Sequence, residues 1–300
     1  MKSDIADNLA GPDTQRIYKK RSQLEGIWIR YKRNKLSMFG LILFILMAVA
    51  ALLSLFLVDY EAVIHQDMSI IFQSPSGEHL FGTDHFGRDI FSRILWGAKI
   101  SMFIGLASVL MSLTVGTTVG AIAGYYGGKV DEISMRIMDV VLAVPETLLA
   151  ICIVAALGNS MTNILLAISV SQVPKMARMV RSTVLTIKNV EYIEAARSCG
   201  TSNARIILRH ILPNSIGPIV VNAMLTISRA ILQVASLSFI GLGISPPAPE
   251  WGNMLSEAKP YIRDYPYLLV APSIAIIMTV SCLTLVGDGI QSALDPKLRD

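Results

Sequence analysis

The chain has 300 residues, 53% of them hydrophobic and 16% charged, with a formal net charge of +4 and a mean hydropathy of +0.55. That is too apolar for a soluble domain of ordinary composition, so most of the chain is expected in a bilayer, and a charge this small implies no nucleic-acid partner. Cys152, Cys199 and Cys282 are an odd set with neither a disulfide framework nor metal-ligand spacing.

Residues 1–37 read as a polar N-terminal tail whose Lys19, Lys20, Arg21, Arg30, Lys32, Arg33 and Lys35 hold it in the cytoplasm. The apolar run 38–58 is long enough to cross the hydrocarbon core as a first span. A cleaved signal peptide competes poorly, because the basic region and the apolar run are both too long. Residues 59–99 form an acidic, extracytoplasmic segment in which a Gly-punctuated turn leads into an amphipathic helix bearing Trp96, expected to lie at the interface. His79, Asp84, His85 and Asp89 cluster there without a recognised metal spacing.

The remaining core, 100–291, is expected to hold five more spans. The second, 100–123, is rich in small residues, Gly105, Gly116 and Gly120 among them, and so belongs inside a bundle. Residues 124–136 return through the cytoplasm, and a third span, 137–157, is interrupted at Pro145-Glu146. The fourth begins near Ile164 and reaches a basic edge at Lys175, Arg178 and Arg181, with Pro174 kinking or ending it.

Between the fourth and fifth spans stands NVEYIEAARSCGTSNARIILRHILP, residues 189–213, a charged helix-turn-helix pattern. Asn189 is expected to cap a helix whose small apolar stripe is Tyr192, Ala195, Ala196 and Cys199 at i, i+3, i+4 and i+7. Gly200 stops this helix, Ser202 or Asn203 caps the next, and Pro213 ends it. On spacing alone the pattern suits an ordinary amphipathic connection as well as a surface built for docking. The fifth span is expected over 216–242, the Pro-rich 244–266 as a rigid outer loop, and the sixth span over 268–287, with Lys297 and Arg299 holding the tail 292–300 inside.

Two charges sit within apolar spans, Glu146 and Arg229, each costing about 2.5–3.5 kcal/mol if unpaired at the bilayer centre. The predicted spans place them about 6 Å apart in depth, at roughly 1.5 Å per residue. Three readings stay open: a structural ion pair, a lining of a transport pathway that meets a charged cargo, and separate solvation. No phosphate-binding GxxxxGK[ST] loop, HExxH or GxSxG occurs in the sequence. A membrane enzyme and an autonomous carrier are therefore weaker classes than a subunit driven by a partner.

Glu194-Ala195-Ala196, Gly200 and Leu212-Pro213 resemble the signature of permease subunits of binding-protein-dependent ABC importers, Glu-Ala-Ala, three residues, Gly, nine residues, Ile, one residue, Leu-Pro; His210 stands at the family's Ile, with Ile211 beside it. FGTDHFGRDIFSRILWGAKIS before the second span, GYYGG, RIMD, LSFIGLG with PPAPEWGNML, and GDGIQSALDPKLR look like the C-type permease of the dipeptide and oligopeptide importers. The resemblance implies an all-α, six-span type I permease fold. It also implies a second, unlike permease subunit, two ATP-binding subunits that hold the ATP and Mg, and an extracytoplasmic substrate-binding protein. Glu194, Ala195, Ala196, Gly200, Leu212 and Pro213 would then couple the spans to the ATPase, with no cofactor or metal bound by this chain and no catalytic residue of its own. Nickel, metal-chelate and glutathione importers share the motifs, so peptide is the cargo expected first among these.

Overall fold

In a bilayer each apolar run must satisfy its backbone hydrogen bonds internally, which favours helices. The computed structural model describes residues 23–294 and has no β-strand among them. Lys19, Lys20, Arg21, Lys297 and Arg299 lie outside the described residues.

α1 (Gln23–Arg33) replaces the inner part of the expected tail with a helix. Tyr31 is buried and donates its hydroxyl to the Ser37 carbonyl at 3.0 Å, and its ring lies against Gly289 of α12 (Tyr267–Leu294). The polar tail thus contributes a packed element, because Tyr31 and Trp28 supply apolar surface that a count of basic residues overlooks. Asn34 caps α2 (Lys35–Leu57), its side chain accepting from the Ser37 amide at 3.3 Å.

After the short helix α3 (Tyr60–Ile64), the expected interfacial helix and second span prove to be one helix of 37 residues, α4 (Ile90–Tyr126), about 55 Å long. Nothing between Trp96 and Ser101 breaks it. Gly116, Gly120 and Gly124 face α7 (Met161–Ile187): a Cβ at Gly116 would stand 2.7 Å from Met176 Cβ, and one at Gly120 2.9 Å from Val180 Cβ. Small residues here let the two backbones approach.

The third span is broken. α5 (Gly128–Leu142) and α6 (Glu146–Leu157) meet at 82°, because Pro145 has no amide to donate and keeps Val144 out of the helical region. Glu146 therefore opens a helix instead of lying within one. α7 in turn runs through Pro174 to Ile187, past the expected end of the fourth span. Pairs of Lys175 with Glu146, Arg178 with Asp139 and Arg181 with Asp131 strap α7 to the bent α5–α6.

The segment after α7 holds α8 (Glu191–Ser198) and α9 (Asn203–Ile206), then a π-turn (Ile207–Ile211) and α10 (Leu212–Phe239). Pro213 does not end a helix, since Asn203 to Phe239 is continuous over 37 residues. The wider π-turn accommodates the proline: the Leu212 amide donates to Ile207, five residues back. Within the expected outer loop, α11 (Trp251–Ala258) is helical. Glu250 caps it, accepting from the Gly252 and Asn253 amides at 2.9 and 2.8 Å. α12 carries the sixth span to Leu294, into the expected tail.

α2, α4, α12 and the joined Asn203–Phe239 helix are each long and apolar enough to cross a membrane, and the bent α5–α6 pair brings the number to five when it is counted as one span. The more polar α7 packs along α4 and makes the expected six compatible with this architecture. Buried apolar clusters form at one end around Ile90, Ile94 and Trp251, in the middle around Ile104, Ile164 and Val234, and at the other end around Tyr125, Val184 and Ile193.

Candidate functional site

The protruding segment at the Tyr125 end is anchored from within. Ile193 of α8, Ile206 of α9 and Ile211 of the π-turn are fully buried against Val180 and Val184 of α7. Around them, the Tyr125 hydroxyl donates to Asn203 Oδ1 at 2.8 Å. Lys188 donates to the Gly124 carbonyl at 3.0 Å, and the Arg197 guanidinium lies 5.1 Å from the Tyr125 ring centre. A push on α8 therefore reaches α4, α7 and α10 through packed side chains.

Two local expectations are corrected. Val190, not Asn189, stands at the N-cap of α8, and no side chain caps it. The stripe also divides. Ala196 packs inward with Ile193, while Tyr192, at 42% exposure, Ala195 and Cys199 face away from the chain beside exposed Glu194. Gly200 has φ +73°, and a methyl group on its Cα would meet no atom within 4 Å, so its left-handed backbone, rather than a close approach, requires glycine. The Thr201 amide closes the turn onto Ala196 at 3.1 Å. Leu212 is partly buried in the same cluster and Pro213 is exposed.

Glu146 and Arg229 do line one recess, between α6, α7 and α10, but the ion pair, one of the three readings, is not formed between them. Lys175 takes the Glu146 carboxylate. Arg229 lies exposed on α10 with its Nε donating to the Leu225 carbonyl at 3.4 Å, and it has no ion pair among the described residues. Asn222, Thr226, Arg229 and Gln233 fall at i, i+4, i+7 and i+11, a polar stripe in an apolar helix whose period is readable in the sequence but is missed when only the charges are followed.

At the opposite end, Asp84 and Glu257 hold Arg88 and Arg93, which are 2% and 1% exposed. Arg88 donates to Asp84 at 2.7 Å and to Glu257 at 2.8 Å. Arg93 pairs with Asp84 and reaches Glu257 at 3.0 Å. Burial pushes the Asp84 carboxyl up, but Arg93, Arg88 and two backbone amides outweigh it and hold its pKa below the ordinary value. Beside it burial lowers the pKa of His85, whose ring stacks 5.3 Å from Tyr261. Asp84 is thus tied to arginines 4 and 9 positions on and, through them, to an acid on α11, a partner too distant in sequence for local spacing to reveal.

Residues 116–300 match the family described as binding-protein-dependent transport system inner membrane component. The chain belongs to that family. Its N-terminal residues 22–75 match the N-terminal TM domain of oligopeptide transport permease C. Among relatives of this inner membrane component, the dipeptide transport system permease protein DppC of Alkalihalophilus pseudofirmus is 46% identical, over 89% of this chain and 88% of the relative. The glutathione transport system permease protein GsiD of Pectobacterium atrosepticum is 43% identical, over 93% of each. A chain of the MetNI methionine ABC transporter, solved in inward-facing conformations, shares the fold at a TM-score of 0.56 and 18% identity, covering 68% of this chain and 97% of that one. The chain is thus a multi-pass transport permease, and its helical architecture is that of an ABC importer membrane subunit.

Proposed function

We propose that this permease forms half of the translocation pathway of an ATP-driven, binding-protein-dependent importer of peptides. A second, unlike permease subunit supplies the other half, two partner subunits bind ATP and Mg and hydrolyse the ATP, and an extracytoplasmic protein delivers the cargo. The observation that carries this reading is α8: its outer stripe of Tyr192, Ala195 and Cys199 is left uncovered while Ile193 ties it into the helix core. Small residues on the outer face admit close docking, and Glu194 beside them offers the polar contact.

Both termini belong in the cytoplasm in this reading, in the plasma membrane of a bacterium or archaeon, with α8 and α9 on the same side. Peptide is favoured as cargo by the dipeptide relative and the oligopeptide-permease N-terminal match. Glutathione is the second reading, supported by relatives 43% identical. Proteoliposomes holding both permeases and loaded binding protein should import nothing until the ATPase subunits and MgATP are added. Import by the permeases alone would contradict the proposal.

A further inference from the structure

The recess between α6, α7 and α10 holds three groups that do not complete one another. Arg229 is about 15 Å from the Phe239 end of its helix, at roughly 1.5 Å per residue, where an arginine facing hydrocarbon is costly. Gln172 is only 3% exposed and lines the recess with its Oε1 unpartnered; its Nε2 is 3.5 Å from Gln233 Oε1. Lys175 occupies Glu146, which leaves the guanidinium without a carboxylate among the described residues.

We infer that this recess anchors a carboxylate of the cargo, with Arg229 receiving the carboxylate, Gln172 Oε1 accepting an N–H of the same molecule, and Lys175 keeping Glu146 from neutralising Arg229. A guanidinium matches a carboxylate with two parallel hydrogen bonds. The space is about 20 Å³, enough for a water molecule or the tip of an end group but not for a whole peptide. The recess therefore grips one terminus while the rest of the cargo lies in the pathway. The inference rests on the peptide-import reading and deepens it.

The test uses the complete importer in proteoliposomes, its binding protein saturated in turn with a dipeptide and with the same dipeptide amidated at its C-terminus. The wild type should prefer the free carboxylate about tenfold in turnover. Arg229→Gln should reduce that preference to near one, and Arg229→Lys should keep part of it, which a simple folding defect would not do. Lys175→Met should also lose the preference, because Glu146 is then free to pair with Arg229. Adding Glu146→Gln to Lys175→Met should restore it. An unchanged preference in Arg229→Gln, or no rescue by the double substitution, overturns the anchor alone. Wild-type import of neither dipeptide overturns the peptide reading on which the anchor rests.

Discussion

Gly200 places a left-handed residue, φ +73°, at the end of α8, where a β-branched side chain costs about 1–2 kcal/mol. Gly200→Val should leave the membrane helices folded and reduce import severalfold by disturbing α8, read as ATP hydrolysis uncoupled from uptake; normal coupled transport would contradict the role proposed for the turn after α8. At the far end, Arg88→Met would leave Asp84 and Glu257 sharing the single guanidinium of Arg93, and should destabilise this buried cluster by about 3–5 kcal/mol, seen as a lower unfolding temperature in detergent. The pH dependence there has a definite sign. Both Asp84 and His85 have folded pKa values below their ordinary ones, so each contributes stability that is full above its unfolded pKa and is lost on acidification. His85 acts first, below about pH 6.5, and Asp84 below about pH 4. Replacing His85 with Phe should remove part of the stability loss between pH 7 and 5, and an unaltered slope would contradict the assignment.

At the scale of elements, the main seam is the one between α4 and α7, where Gly116, Gly120 and Gly124 repeat every fourth residue against Met176, Val180 and Val184. Gly120→Val should overpack this seam, at about 1–3 kcal/mol, and lower the yield of assembled complex, whereas Val115→Ala on an exposed face of the same helix should not. Equal yields would show that the seam tolerates separation. The apolar runs made α2, α10 and α12 legible in the sequence, since length and hydropathy decide a crossing. Pro213 misled, because context decides a proline's effect. Pro145 does break its span, but Pro174 lies within α7 and Pro213 within a continuous helix relieved by the π-turn. Composition marks such a residue as a breaker and does not reveal the neighbouring turn that absorbs it.

For the whole molecule, reporter fusions at Glu78 and Pro247 should read outside and fusions at Lys129 and Gly200 inside; an outside signal at Gly200 would place α8 beyond the reach of any ATPase. The helical pattern of 189–213, broken at Gly200, was legible because its spacing is local. Its anchor was not, because Ile193, Ile206 and Tyr125 meet only after three helices pack. The ion-pair reading of Glu146 and Arg229 is not met for a similar reason: depth along two helices brings charges level without saying which partner, here Lys175, takes the carboxylate. The docking claim is tested most directly through native Cys199, exposed on the outer stripe of α8. A short thiol-directed photocrosslinker placed on Cys199 of the assembled importer, in a background with Cys152 replaced by serine, should join this chain to an ATP-binding subunit, and the yield should change with MgATP. Efficient labelling of Cys199 with no adduct to that subunit in any nucleotide state would contradict the account.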